Sequence, residues 1–335
     1  MRSILFTVFI LAALPALADG RAELAAAWPK TALHKAAFDL TALDVKGPRN
    51  AVPPLNTPSF VPLSYAQHVG QLAPVIEVTL NGKTKIYPLH IVASHAIIND
   101  ELAGVPIAVT YCRVCASPMV FKRQVDGEVT RLGFTGVGYE DNLVLFDEAT
   151  ETWWQQINGL GLAGPHADAA LEVIPSGLKS LQHARDDAGQ AALVLAHSDY
   201  SRGRVLPPIN TDAPGTDPIY VNLSATEGVV VVDNHAYRVR DIAARGEVVD
   251  GDLVLRHRPG RHAGPDAFRG ITDSDIGTID VLRRADGGAR LSPEAYRFNL
   301  GHALDNVVRR GRIELRDFEP INDPYAPERR VIRDK

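Results

Sequence analysis

The 335-residue sequence has little of several features that define common protein classes. It contains only two cysteines, which excludes a small scaffold held together by disulfides. It has no excess of positive charge, since 35 Lys and Arg face 40 Asp and Glu for a formal net charge of −5. This balance argues against broad nucleic-acid binding, which requires a basic surface. After the first 18 residues, no apolar stretch approaches the roughly 20 residues needed to span a membrane.

The N-terminus has the features of an export signal. A short basic start is followed by an apolar run over Ile4–Leu17. The run ends in Ala16-Leu17-Ala18, the pattern of small residues that signal peptidase requires. The apolar run is too short for a membrane anchor. We therefore expect cleavage after Ala18 and a periplasmic or secreted protein without a membrane span in the mature chain.

The rest of the sequence is 45% hydrophobic and 22% charged, which is typical of a globular protein. Prolines between residues 47 and 62 indicate an irregular connector laid across a surface. After residue 62, most segments have the alternation of apolar and polar residues that is typical of short β-strands. We predict four segments: a signal peptide over 1–18, an N-terminal arm and Pro-rich connector over 19–62, a Cys-containing β-rich half over 63–205, and a second β-rich half without the Cys pair over 206–335.

The Cys-containing half begins with a predicted β-hairpin. Its first strand is Pro74–Leu80, and Asn81-Gly82 is a strong two-residue turn signal. Pro88 then precedes a predicted helix over Leu89–Ile98. A buried strand over Val105–Tyr111 leads directly into the first cysteine.

A weak internal repeat links the two halves. Val229–Val239 resembles the hairpin over Val75–Tyr87, and Glu247–Arg256 resembles Ile97–Thr110 in the same order. No cysteine pair follows the second copy. The sequence therefore predicts an α+β fold, mostly antiparallel β with short helices, built as two related β-rich halves.

Cys112 and Cys115 have a spacing that requires a chemical explanation, because two such thiols can bind one metal ion or each other. A thioredoxin-like pair would open a long helix, but Pro118 follows at once. A structural disulfide is a second possibility, although so short a loop stabilises a fold by only about 2 kcal/mol.

A metal site is the third possibility, since a C-x-x-C turn supplies half of a tetrahedral or trigonal ligand set. His95 and His90 are the nearest upstream histidines, and on a helix they face about 140° apart, so at most one easily reaches the cysteines. We favour His95 as third ligand, with Asp100 or Met119 as a weak or neighbouring ligand. Thiolates favour copper or zinc, and the Met thioether would suit copper.

A set of further residues resembles a known family. These anchors are Tyr87-Pro88, His95, Asn99-Asp100, Val109–Cys112, Cys115, Phe121, Tyr139, Asn142-Leu143, Phe146-Asp147, Thr150, Trp154, Gln156, Gly159 and Gly164-Pro165. Over about Pro62 to near Pro320 the chain resembles the bacterial and archaeal family "domain of unknown function 3179". It departs from that pattern at Ala96, where the family usually has an acid, and at Ala116–Pro118, where a Gly-Thr-like pair is usual. The resemblance supports a site that includes His95, Asp100 and the two cysteines, but it supplies no reaction.

A pocket is a further hypothesis, with Tyr139, Asn142, Trp154 and Gln156 as its candidates. A Trp side chain gives a pocket a large apolar surface and one hydrogen-bond donor, and a Gln side chain gives it an amide with directional hydrogen bonds. Adjacent strand residues point to opposite faces, so only one of the neighbouring tryptophans can line such a pocket.

We expect a periplasmic copper- or zinc-binding or redox-active protein centred on Cys112, Cys115 and His95. The alternatives are a ligand-binding or scaffold module with an inert disulfide, and a dithiol–disulfide oxidoreductase. The expected partner is an unidentified small molecule or redox partner, and catalytic residues are not assigned.

Overall fold

The computed structural model describes residues 24–36, 38–67, 69–189, 191–203, 227–262, 275–285, 290–300 and 314–316. The predicted signal peptide lies outside these residues, as does much of the predicted second half. Of the described residues, 47% lie in strands and 15% in helices, and the sheets have a five-bladed, propeller-like arrangement. Among the described residues, no helix has the length and apolar character that crossing a membrane requires.

Most strands are short, and they are joined by tight turns. The strands are β1 (Leu43–Val45), β2 (Phe60–Pro62), β3 (Pro74–Leu80), β4 (Lys83–Pro88), β5 (Ile97–Leu102), β6 (Val105–Cys112), β7 (Ser117–Lys122), β8 (Gln124–Val125), β9 (Glu128–Val129), β10 (Leu132–Tyr139), β11 (Asn142–Asp147), β12 (Trp153–Gln155), β13 (Gly161–Ala163), β14 (Gly177–Ser180), β15 (Leu193–Leu195), β16 (Gly228–Val232), β17 (His235–Arg238), β18 (Glu247–Asp250), β19 (Leu253–Arg258), β20 (Thr278–Ala285), β21 (Arg290–Pro293), β22 (Arg297–Leu300) and β23 (Glu314–Leu315). Residues 24–27 are α-helical, and the α-helices wholly within the described residues are α1 (Leu89–His95), α2 (Leu181–Ala188) and α3 (Val239–Arg245); 3₁₀ turns cover Leu33–Lys35, Leu40–Ala42 and Leu63–Tyr65.

The described strands form five larger sheets and one two-stranded ribbon, mostly with antiparallel neighbours. Their orders are β1-β10-β11-β12-β13, β14-β3-β4-β15-β2, β22-β16-β17-β23, β18-β19-β20-β21, β5-β6-β7 and β8-β9. The largest buried cluster joins apolar residues of three-, four- and five-stranded sheets, so the sheets share a core rather than folding apart.

The predicted α+β fold of two related halves is wrong. The helices α1, α2 and α3 have only seven or eight residues, so they cap sheets rather than form a layer of their own. The sheet β1-β10-β11-β12-β13 draws on the N-terminal arm and has no counterpart among the described residues after 227. The repetition is local: a hairpin, a seven-residue helix and a second hairpin occur as β3-β4-α1-β5-β6 and again as β16-β17-α3-β18-β19.

The hairpin at Asn81-Gly82 is confirmed, with Leu80 paired to Lys83 and both turn residues at positive φ. The predicted helix after it is too long. The observed helix α1 ends at His95 because Ala96 has φ 59°, a value that no right-handed helix allows. The next residue already begins β5.

Two neighbouring strands of one sheet run parallel, which is unusual in this molecule. Val194 of β15 pairs with Ile86 of β4, whereas β15 and β2 are antiparallel. The segments that follow β4 and β15 therefore leave the sheet at the same edge. These segments are helix α1 and residues 196–203.

Candidate functional site

The cysteine pair lies in the turn of the β6-β7 hairpin. Cys112 is the last residue of β6 and pairs with Ser117, the first residue of β7. Cys112 and Cys115 form a disulfide, and both are 0% exposed. Ala116 has φ 50°, which closes the turn and starts β7. A strand follows the pair, as Pro118 predicted, so the site lacks the helix of a thioredoxin-like centre.

Each sulfur accepts a contact from an N–H group. The backbone N–H of Cys115 lies 3.4 Å from Cys112 Sγ. The Asn142 side chain approaches more closely, with Nδ2 3.0 Å from Cys115 Sγ. N–H groups directed at sulfur favour a negatively charged thiolate over a neutral thiol.

A buried amide network fixes the Asn142 side chain. Its Nδ2 also donates to Gln156 Oε1 at 3.0 Å, and its Oδ1 accepts from the Ile157 backbone at 2.9 Å. Gln156 Nε2 in turn donates to Thr110 Oγ1 at 3.0 Å and to the Ser117 carbonyl at 2.9 Å. These contacts hold the Asn142 amide in the orientation that directs its nitrogen toward the sulfur.

The Ser117 hydroxyl is a second polar group, on the residue paired with Cys112 across the hairpin. It is fully buried and has no hydrogen-bond partner among the residues that the structure describes. Directly opposite residues of an antiparallel pair have Cβ atoms about 4.5–5.5 Å apart, so Ser117 and Cys112 share one face of the hairpin.

His95, the predicted third ligand, forms hydrogen bonds to groups other than the cysteines. Its Nδ1 lies 2.9 Å from the Pro53 carbonyl and its Nε2 lies 2.7 Å from Ser198 Oγ, so both ring nitrogens are engaged. The carbonyl has no hydrogen to donate, and Nδ1 therefore carries the proton. Nε2 and Ser198 Oγ form the second hydrogen bond of the ring.

Asp100 and Met119 also have other surroundings. Asp100 forms an ion pair with Lys85 at 2.8 Å and accepts a hydrogen bond from Tyr87 Oη at 2.7 Å. Burial, together with the Asp100 carboxylate, raises the pKa of Tyr87 well above its usual value, so Tyr87 stays a hydrogen donor. Met119 packs in an apolar cluster with Phe121. Among the described residues, no group of three or more His, Cys, Asp or Glu side chains could hold a metal ion.

The four pocket candidates divide into two pairs. Asn142 and Gln156 belong to the network at the disulfide. Tyr139 packs on Phe38 with ring centroids 4.9 Å apart, and Trp154 is buried with its Nε1 donating to Asp147 at 3.1 Å. The structure thus joins the two amides to the cysteines and places the two aromatic side chains in separate apolar clusters.

A second polar cluster, which the sequence patterns did not predict, lies at the common edge of β4 and β15. It consists of His90, His95, His197, Ser198 and Ser201, and we call it the histidine–serine cluster. A sequence signal existed in the run His197-Ser198 after a short apolar strand. Its proximity to α1 depends on the parallel pairing of β4 and β15, which residue patterns did not indicate.

Comparison with known proteins gives a family without an assigned activity. The family described as "Protein of unknown function (DUF3179)" matches residues 49–263. The chain belongs to this family. The matched span begins and ends earlier in the chain than the span that the residue pattern suggested, about Pro62 to near Pro320. It includes both the disulfide and the histidine–serine cluster. No curated protein and no solved structure gives a significant match.

Proposed function

We propose that Cys112 and Cys115 form a reversible two-electron redox centre. The observation that supports it best is the Asn142 amide, held 3.0 Å from Cys115 Sγ by a fully buried network. A disulfide that only closes a short loop gains little from a buried donor at one sulfur. A thiolate gains much more, because hydrogen bonds to charged groups are worth roughly twice neutral ones.

The Ser117 hydroxyl supports the same proposal. A buried hydroxyl without a partner costs roughly 1–3 kcal/mol in the oxidised state. Reduction would offer it an acceptor, since a thiolate at Cys112 lies on the same face of the hairpin. Both groups therefore favour the reduced pair relative to the disulfide, which makes reduction easier.

The chemical step is thiol–disulfide exchange with a dithiol reductant. A thiolate of the reductant attacks one sulfur, the Cys112–Cys115 bond breaks, and the other cysteine leaves as a thiolate. The second thiol of the reductant then attacks the mixed disulfide, loses its proton, and becomes oxidised. Two electrons enter the pair, and two protons complete the two thiols.

Access to the sulfurs requires movement of the turn. Arg113 and Val114 are half-buried over the pair, and Val114 and Leu143 pack against the two cysteines. A centre of this kind exchanges with a reductant when the turn opens.

The proposal is tested by equilibrating the protein lacking residues 1–18 in dithiothreitol buffers of graded potential. Mass spectrometry after alkylation would count free thiols, with the Cys112→Ser, Cys115→Ser double variant as blank. We expect two thiols to appear together, at a midpoint above about −300 mV. A pair that stays oxidised well below that potential is an inert structural disulfide, and the proposal is then wrong.

We also propose that the protein acts outside the cytoplasm, on the basis of the basic start, apolar run and Ala-x-Ala site of residues 1–18. An oxidising compartment would hold the pair as the disulfide until a reductant arrives. Fractionation of a bacterium expressing the full chain, with intact mass, tests this. Export predicts a periplasmic protein beginning at Asp19, and a cytoplasmic full-length chain contradicts it.

A further inference from the structure

The histidine–serine cluster brings two histidines from different segments face to face. His90 is the second residue of α1, directly after β4, and His197 follows β15. Because β4 and β15 are parallel neighbours, both segments begin at the same edge of the sheet. The backbone on each side is thus anchored in a sheet, so the two side chains have defined positions.

The two Nε2 atoms lie at a distance that suits a shared metal ion. His90 Nε2 and His197 Nε2 lie 3.4 Å apart, with ring centroids at 5.1 Å and planes inclined by 51°. An N–H···N hydrogen bond is normally shorter, with most N–H donor bonds near 2.9–3.0 Å. Two imidazole nitrogens bound to one zinc ion at about 2.0–2.1 Å, with tetrahedral angles, lie roughly 3.3–3.4 Å apart.

Hydrogen bonds behind His197 favour the tautomer that binds metal. Its Nδ1 lies 3.4 Å from Ser201 Oγ, and that hydroxyl donates to the Ser198 carbonyl at 3.2 Å. Ser201 Oγ can therefore accept from an Nδ1–H of His197, and in that tautomer the lone pair lies on Nε2. A polar partner on the second ring nitrogen is a regular feature of histidines that bind metals.

His95 secures the segment that carries His197. Its Nε2 lies 2.7 Å from Ser198 Oγ, while the Ser198 backbone N–H donates to Ser201 Oγ at 2.9 Å. His95 itself is 3% exposed. The position of the His197 ring is thus supported by a buried side chain on the same helix as His90.

We propose that His90 and His197 bind one zinc or copper(II) ion through their Nε2 atoms. Imidazole suits both ions, and with two protein ligands the remaining positions are taken by water or a substrate. The site shares no ligand with the disulfide and does not depend on the redox function proposed above.

Zinc titration of the oxidised protein lacking residues 1–18 tests the site. Thiol counting must first show zero free thiols, so that the cysteines cannot contribute ligands. We expect 1:1 binding by calorimetry, weakened at least tenfold in His90→Gln and in His197→Gln. His34→Gln, at an exposed histidine, is the matched control and should bind as the parent does.

Copper(II) provides a readout on the unmodified chain, in case a variant fails to fold. The electron paramagnetic resonance spectrum should show superhyperfine coupling to two nitrogens, and thermal melts of each variant establish that it is folded. Absence of zinc and copper binding up to 1 mM in the parent protein overturns the proposal. Equal affinity in the parent and in folded His90→Gln and His197→Gln does so as well.

Discussion

At single residues, the proposed function depends on how the side chains around the cysteines interact with a neutral disulfide sulfur and with a charged thiolate. The same Asn142 nitrogen contacts Cys115 in the oxidised structure, but its electrostatic value rises when that sulfur becomes a thiolate. The Asn142 side chain is held facing Cys115, because its amide also forms hydrogen bonds to Gln156 and Ile157 in the buried network. Under the proposed redox function, this amide is therefore expected to contribute to how easily the pair is reduced.

Replacing that amide should make the disulfide harder to reduce. For Asn142→Ala we expect the midpoint potential to fall by about 30 mV, because loss of roughly 1.4 kcal/mol of thiolate stabilisation corresponds to that shift. Asn158→Ala is the matched control, since this amide binds Gln155 rather than a sulfur. Redox titration with thiol counting measures both. An unchanged midpoint in folded Asn142→Ala removes the amide from the argument.

Ser117→Ala tests the other polar group at the pair. The hydroxyl has no partner among the described residues while the disulfide is intact, so its removal should leave the oxidised protein as stable or more stable. The midpoint potential should fall, because the thiolate loses a donor. Urea unfolding of the oxidised form and redox titration give the two readouts. Destabilisation of the oxidised form by more than about 1 kcal/mol would mean that the hydroxyl has a bonding role there.

His95 has a positioning role in the histidine–serine cluster. His95→Gln removes the ring that hydrogen-bonds Ser198 Oγ, so the His197 segment should lose its fixed position. We expect zinc affinity to fall about tenfold, the effect typical of groups that orient metal ligands. The midpoint potential of the disulfide should not move. A folded His95→Gln protein with parental zinc affinity contradicts this role, and calorimetry measures it.

At the scale of elements, the repeated hairpin–helix–hairpin carries a repeated lock. Tyr87 Oη donates to Asp100 at 2.7 Å across the first copy, and Tyr237 Oη donates to Asp250 at 2.9 Å across the second. A cation completes each set: Lys85 in the first copy and Arg316 in the second. Each lock joins the end of one hairpin to the start of the next, around the short helix between them.

The two locks differ in burial, and this predicts a difference in stability. Asp100 is 8% exposed, whereas Asp250 is 32% exposed at its side chain. Asp100→Asn breaks a buried ion pair and should reduce the free energy of unfolding by about 3 kcal/mol, against about 1 kcal/mol for Asp250→Asn. Asp199→Asn, at a fully exposed carboxylate, is the control. Urea denaturation followed by tryptophan fluorescence measures all three. Equal losses for Asp100→Asn and Asp250→Asn contradict the argument.

Local patterns predicted elements that depend on neighbouring residues. The Asn81-Gly82 turn, the strand that leads into Cys112 and the absence of a helix after Pro118 all follow from short-range chemistry. The opposite faces of Trp153 and Trp154 also follow from the strand period, and the two rings lie in different clusters. In contrast, β15 has three residues, and its parallel pairing with β4 joins positions more than 100 residues apart. That long-range contact places His95 beside Ser198, so spacing along the chain could not assign its partner.

At the scale of the whole molecule, the chain after residue 260 is tied back onto the first sheets. The His262 backbone donates to the Leu72 carbonyl at 2.9 Å, and the Ser180 backbone donates to Thr278 Oγ1 at 3.2 Å. Between these two contacts, Asp275 organises the chain crossing. Its carboxylate accepts backbone N–H groups from Gly260 at 2.8 Å, Arg261 at 3.0 Å and Gly277 at 2.9 Å.

This carboxylate gives the fold a defined sensitivity to acid. Burial alone would raise the pKa of Asp275, but hydrogen bonds from the backbone of Arg261, Gly260 and Gly277 outweigh it and lower the pKa. A carboxyl whose pKa is lower in the folded than in the unfolded chain stabilises the fold above the unfolded pKa. That stabilisation is lost as the pH falls through the lower, folded value.

Asp275→Asn should therefore cost about 1 kcal/mol at pH 7, the net worth of an exposed hydrogen-bonded carboxylate. The difference from the parent should shrink as the pH falls below the usual Asp range, because the parent carboxyl then becomes protonated and its advantage over the amide disappears. Urea unfolding at about pH 7, 5 and 3 measures the difference at each pH, and Asp199→Asn corrects for the general loss of negative charge. If the difference in unfolding free energy between parent and Asp275→Asn stays constant down to pH 3, the effect comes from the shape of the side chain. Ionisation of Asp275 would then not stabilise the chain crossing.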